Sequence, residues 1–250
     1  MITSVNNPRV KEIVRLQTKS SQRKRSGLFC VETERELRRA IAAGFQITDS
    51  YVCPELYRGQ MPPAGYTVVS EPVLRKIAYR ENPQGLVVVM RAKTTPLAQA
   101  PRDGMIVVLS ALEKPGNIGA ILRSADAAGA GAVMIDQCDF DVFNPNTVRA
   151  STGAVFSLPI VCADRETLID CFKQRGTKII ALSPDGSIDY TQADLGGDAA
   201  LVLGAEAEGL DAAWRDAADL LVRIAMRGTV DSLNVSVSAA LVMFEAVRVK

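Results

Sequence analysis

"MIVVLSALEKPGNIGAILRSADAAGAGAVMI", residues 105–135, reads as strand, turn, helix and strand in a single pass. Met105–Ser110 and Ala132–Ile135 are short continuous apolar runs, and between them apolar residues recur at helical spacing from Gly119 to Ala128. The same grammar continues downstream. Strands are predicted at Lys178–Leu182, Ala199–Leu203 and Leu220–Ile224, and helices near Glu166–Gln174 and Val235–Val247. Apolar strands alternating with helices predict an α/β fold whose parallel sheet is covered on both faces. In such a sheet ligands bind at the carboxyl ends of the strands.

The chain ahead of this region has a different texture. A basic amphipathic helix near Pro8–Gln17 precedes a strand at Leu28–Val31, a helix around Glu34–Ala43, strands at Asp49–Val52 and Tyr66–Val69, and a helix near Pro72–Tyr79. A turn from Asn82 to Gly85 then feeds a further apolar strand. Residues 92–104, "AKTTPLAQAPRDG", carry two prolines and no periodicity. We read residues 1–91 as a small α/β domain, 92–104 as a linker and 105–250 as the parallel-sheet domain.

Composition narrows the chemistry. Histidine is absent and the five cysteines are scattered without a C-x-x-C pair, so the usual zinc sites, a disulfide framework and histidine-dependent catalysis are all excluded, and no metal is expected. No apolar run approaches about twenty residues and no signal-peptide pattern opens the chain, which predicts a cytoplasmic protein away from the membrane. The net charge is only +1, yet basic residues concentrate near the N-terminus. Arg9, Lys11 and the run Arg23, Lys24 and Arg25, set in a predicted loop "SSQRKRSG", suit contacts to nucleic-acid phosphates.

Three predicted strand ends carry unusual loops. Gly116 and Gly119 bracket Asn117 after the first strand, with Arg123 one helical turn beyond Gly119. "GAEAEGL", with Glu206 between Gly204 and Gly209, follows Ala199–Leu203, and "AMRGTVDSLN" follows Leu220–Ile224. Glycine at such turns permits positive φ and close backbone approach to a ligand. The dinucleotide spacing G-x-G-x-x-G is not met, which argues against a nicotinamide enzyme. What remains is a site of backbone groups, small side chains, one Arg, one Glu and two Asn, suited to an adenosine-like ligand and to orienting a second substrate. Asp231, Ser232 and Asn234 also stand where the final helix needs an N-cap.

Taken together, the loops resemble the three signature motifs of the SpoU/TrmH family of RNA ribose 2'-O-methyltransferases, within the SPOUT superfamily. The matching stretches are "NIGAILRSA" (117–125), "LVLGAEAEGL" (201–210) and "IAMRGTVDSLNVSVSAAL" (224–241). "VRASTGAVFSLPI" (148–160) is similar to the family's intervening segment, and "SVNNPRVKEIVRL" and "NPQGLVVV" to the substrate-binding domain that many members place first. The resemblance implies a C-terminal SPOUT domain with a deep trefoil knot, a homodimer whose active site draws on both subunits, and S-adenosylmethionine as cofactor. It also implies site residues. Arg123 would contact the target ribose or its phosphate, Asn117 would orient Arg123, and Glu206, Ser232 and Asn234 would complete the catalytic set. Gly204, Ile224, Met226 and Leu233 would hold the cofactor. One position departs from the family's third motif, where Ala225 replaces the proline of Ile-Pro-Met, and loss of the fixed φ predicts a slightly looser loop. The separate basic N-terminal domain favours ribosomal over transfer RNA as substrate, the alternatives being a transfer-RNA enzyme or an RNA-binding protein with an inactive site.

Overall fold

Along the chain the elements run α1 (Pro8–Thr18), α2 (Ser20–Ser26), β1 (Leu28–Val31), α3 (Glu34–Ala42), β2 (Ile47–Val52), β3 (Thr67–Val68), α4 (Glu71–Ile77) and β4 (Leu86–Arg91). They continue as β5 (Ile106–Leu109), α5 (Pro115–Ala127), β6 (Ala132–Ile135), α6 (Pro145–Ser151), α7 (Ala154–Ser157), β7 (Ile160–Cys162) and α8 (Arg165–Arg175). The last are β8 (Lys178–Leu182), β9 (Ile188–Asp189), β10 (Ala199–Leu203), α9 (Ala212–Ala217), β11 (Leu220–Arg223) and α10 (Val235–Ala246). The structure, a computed structural model, describes every residue except 137–139, 206–208 and 249–250. No helix among the described residues is long and apolar enough to cross a membrane.

Two units result, Met1–Lys93 with Asp141–Ser157, and Thr94–Phe140 with Leu158–Lys250. In the first, a four-stranded sheet of order β1-β4-β2-β3 is built around β4, which pairs antiparallel with β1 and β2. Five residues of β4, Leu86–Met90, are buried, as a central strand of four successive aliphatic residues and a methionine requires. Val10, Ile13 and Leu16 of α1 join Val73, Leu74 and Ile77 of α4 in its core.

Two features of this unit differ from the sequence reading. Residues 20–26 are helix α2 rather than a loop, closed by Gly27 at φ +64°, and Arg23 points inward. Its guanidinium is 4% exposed, donates to Asp141 at 2.7 Å and also reaches the Leu16 carbonyl, so it is unavailable to an RNA phosphate. The second feature is the segment Asp141–Ser157, which follows β6 but packs with the first unit. Phe143 stacks on Phe29 with centroids 4.4 Å apart, and Phe156 lies 5.7 Å from the same ring. No local pattern announces either pairing, since Arg23 and Asp141 stand 118 positions apart.

The second unit holds seven strands in the order β7-β6-β5-β10-β8-β11-β9, every neighbouring pair parallel. All residues of β5, β6 and β10 are buried, as continuous apolar runs predict. Ile106, Val108, Ala200 and Val202 share a core with Phe172 of α8 and Trp214 of α9. Strand alternation turns Val107, Leu109, Leu201 and Leu203 to the other face, where α10 packs on both α5 and β10. The elements not anticipated from sequence, among them β7, β9, α6, α7 and α9, have two to seven residues each, too few for a period to show.

Phe143→Ala should destabilise the first unit by about 3–5 kcal/mol in urea denaturation, through the cavity left against Phe29. A loss below about 1 kcal/mol would show that residues 141–157 contribute little to that core.

Candidate functional site

β10, β8 and β11 are neighbours in the sheet, and their carboxyl ends open onto one cavity of about 380 Å³. Its walls come from Leu182–Pro184 after β8, Leu203–Ala205, Gly209 and Leu210 after β10, Ile224 and Met226 after β11, and Asp231–Val235 with Ser238 at the start of α10. Leucines and Ile224 supply apolar surface, while strand-end backbone and three serines supply hydrogen-bonding groups. The size and mixture are those of a small-molecule site. Gly204, Ile224, Met226 and Leu233, expected to hold a cofactor, all line it, as do Ser232 and Asn234. Glu206 lies outside the described residues.

The loop after β10 turns back on itself. Gly209 adopts φ +72°, and its N–H donates to the Ala205 carbonyl at 3.0 Å. A Cβ on Gly204 would stand 2.6 Å from the Gly209 oxygen and 2.7 Å from the Leu210 nitrogen, both backbone atoms. Glycine at 204 is therefore demanded by closure of the loop itself. The sequence rule found the right residue, though the close neighbour is protein rather than ligand.

Asn234 answers two needs at once. It caps α10, its Oδ1 accepting from the Ser236 N–H at 2.9 Å and the Ser236 hydroxyl at 2.6 Å, while its Nδ2 donates to Asn117 Oδ1 at 3.2 Å. That bond ties the start of α5 to the cavity rim, although Asn117 does not itself line the cavity. Ser232 is exposed there, bonded through its side chain to none of the described residues. Arg123 is not brought to the cavity. It stands exposed on α5, and its side chain is paired with none of the described residues. Of the basic residues near the N-terminus, Lys11, Lys24 and Arg25 are exposed, whereas Arg9 pairs with Asp49 at 2.8 Å and lies over the Tyr51 ring.

Sequence reasoning missed two contributors. One is the turn after β8, Ser183–Pro184, which carries no glycine signature. The other is Asp136, buried at the end of β6. Its Oδ2 accepts from the Ser110 hydroxyl at 2.6 Å, Trp214 Nε1 at 2.8 Å and Arg165 Nε at 3.2 Å, and its Oδ1 from the Ala111 N–H at 3.3 Å. Arg165 also pairs at 2.8 Å with Asp211, the N-cap of α9 that immediately follows the cavity loop. An aspartate directly after an apolar strand, in a chain with one tryptophan, was the available signal.

Ala225, the departure from the family motif, lies just past the end of β11. Across from it the Asp189 carboxylate is held below the usual aspartate range, first by the Thr191 hydroxyl at 2.6 Å and then by the Thr191 backbone N–H at 3.1 Å. Among the described residues no three His, Cys, Asp or Glu side chains converge as a metal ion would require.

Comparison with known proteins places these features in a wider set. Residues 104–244 match the SpoU rRNA Methylase family, and residues 7–88 match the MRM3-like substrate binding domain. The chain is 29% identical over 245 residues to the 23S rRNA (guanosine(2553)-2'-O)-methyltransferase RlmP of Bacillus subtilis (strain 168), covering 97% of each. It is 41% identical to a solved RNA 2'-O ribose methyltransferase, with a TM-score of 0.82 and coverage of 98% of this chain and 96% of that one. An AdoMet-bound rRNA methyltransferase from Sinorhizobium meliloti is 31% identical with a TM-score of 0.87, over 98% of this chain and 95% of its own.

Asp136→Ala would strand the Trp214 N–H and leave Arg165 half-paired in the interior. We expect a loss of about 3–5 kcal/mol in stability, measured by urea denaturation. A variant within about 1 kcal/mol of the parent would contradict the network's role.

Proposed function

The chain belongs to the SpoU rRNA methylase family, and we propose that it transfers a methyl group from S-adenosylmethionine to a ribose 2'-hydroxyl of ribosomal RNA. The observation that carries this reading is the cavity at the ends of β8, β10 and β11, walled by residues of the second and third family motifs. Relatives named as 23S rRNA 2'-O-methyltransferases support the choice of RNA class. We place the enzyme in the cytoplasm with that substrate. In this reading residues 1–91 recognise RNA, 92–104 link, and 105–250 carry the chemistry and the trefoil knot.

The cavity fits the cofactor. Its volume of about 380 Å³ suits an adenosine-sized ligand, and its walls pair apolar flanks with strand-end backbone. Backbone groups near Gly204, Ile224, Met226 and Leu233 would hold S-adenosylmethionine, and Leu203 and Leu210 would offer it apolar surface. When bound, that group supplies a methyl already activated on a sulfonium, so alignment of an in-line displacement is the protein's main task. Asn234, fixed by its own helix cap, holds Asn117 in place. Arg123, with a guanidinium fork that matches phosphate and hydroxyl oxygens, serves as an electrostatic clamp on the ribose or its phosphate more readily than as a base. Asp231 is the only ionisable side chain among the described lining residues, in keeping with chemistry driven by position.

A homodimer belongs to the same reading. On α10, Val237 is 48% exposed, Leu241 38% and Phe244 50%, an apolar stripe at helical spacing. Covering it with a second copy's equivalent would bury that stripe and bring a site together from two chains. The position of Arg123 outside its own chain's cavity supports that arrangement.

The test is transfer of labelled methyl to separated ribosomal and transfer RNA from cells lacking the gene. We expect label in ribosomal RNA, within an alkali-resistant dinucleotide, and a loss of at least about 100-fold on Arg123→Ala. Label confined to transfer RNA would overturn the substrate, and no label despite cofactor binding would overturn the enzyme reading.

A further inference from the structure

The first unit contains a cavity of its own, about 290 Å³, at the N-terminal end of α3. Arg35 comes from α3, Arg80 and Gln84 from the turn ahead of β4, and Arg149 from α6. Two glutamates also line it, and each has a partner. Glu36 closes a capping box with Thr33 and binds Arg80 at 2.7 Å, while Glu34 faces Arg38 at 3.7 Å. Arg80 is thereby neutralised. Arg35 and Arg149 are exposed, and among the described residues neither is paired with a carboxylate. Among the described residues Arg149 bonds the Asn146 amide at 3.3 Å, and its guanidinium lies 6.0 Å over the ring of Tyr79, itself 36% exposed.

We propose that this cavity holds one unstacked nucleotide of the RNA substrate, its phosphate on Arg35 and Arg149 and its base edge on Gln84. The inference rests on the functional reading above. The chemistry of the lining selects this ligand. Guanidinium forks match phosphate oxygens, and an amide side chain offers both donor and acceptor to a base edge. Unpaired nucleotides in structured RNA are read by such groups. By contrast, the run Arg23–Arg25 offers no enclosed site, because Arg23 is spent on Asp141 and only Lys24 and Arg25 face solvent.

The test measures affinity for ribosomal RNA by filter binding over a range of salt, with S-adenosylhomocysteine titrated by calorimetry in parallel. Arg35→Ala and Arg149→Ala should each weaken RNA binding at least about fivefold, and the double variant should lower the salt slope by about 2. Gln84→Ala should change affinity for some RNA sequences and not others while keeping the parent slope. Lys24→Ala with Arg25→Ala should cost less than either arginine in the cavity. S-adenosylhomocysteine affinity should stay within about twofold of the parent throughout, and circular dichroism with the urea midpoint should stay at the parent's, which unfolding of the first unit would not allow. A double arginine variant that binds and methylates ribosomal RNA like the parent overturns the nucleotide site and leaves the functional reading standing. A parent protein that binds S-adenosylhomocysteine but neither binds nor methylates RNA sinks the functional reading, and this site with it.

Discussion

Backbone meets backbone at Gly204, where even one Cβ would collide with the returning strand of its own loop. Much of the site depends on that contact. Because the loop after β10 can close, Gly209 and Leu210 come back to wall the cavity, and α9 begins at once on its Asp211 cap. On the other side, the Leu203 carbonyl accepts from the Ser110 N–H at 2.9 Å, which carries the pairing of β10 with β5 one residue past the strand ends. The loop is thus pinned at both ends.

A buried parallel sheet has few ways to place polar groups, and it uses them at its carboxyl edge. Asp136 is tolerated in the interior because hydroxyl, indole, guanidinium and backbone donors all reach it. Arg165 extends that network to Asp211, so the end of β6, the start of α8 and the exit of the cavity loop are held by one set of charges. Asn234 fastens the remaining side through Asn117. Preorganisation of this kind suits a displacement whose leaving group is already activated and whose barrier falls chiefly through alignment. It also makes sense of a chain that manages without histidine.

Much of this was legible in the sequence because long apolar strands announce themselves. The bounds of β1, β6, β8 and β10 coincide with the runs read from sequence, and α5, α8 and α10 fall where the helical period placed them. Gly204 and Asn234 stood out as a turn glycine and a cap candidate, which are local signals, whereas Ile224, Met226 and Leu233 came from the resemblance to the family's third motif. What failed was non-local. The burial of Arg23 depends on Asp141, and the placement of residues 141–157 depends on Phe143 and Phe156 meeting Phe29, neither of which any window of sequence contains. Ser183 and Pro184 escaped notice because their turn looks ordinary until β8 is known to lie between β10 and β11. Arg123 was named by motif alone, and it stands exposed on α5 outside the residues that line the cavity.

The most direct test of the account is calorimetric titration of S-adenosylhomocysteine into the parent protein, Gly204→Ala and Gly116→Ala. A Cβ at Gly116 would meet nothing within 4 Å, so that variant controls for the loss of a glycine as such. The account predicts binding by the parent and by Gly116→Ala with similar affinity. For Gly204→Ala it predicts a loss of at least about tenfold, with the sheet's circular dichroism retained. Undiminished binding by Gly204→Ala would contradict the claim that closure of the β10 loop builds the cofactor cavity.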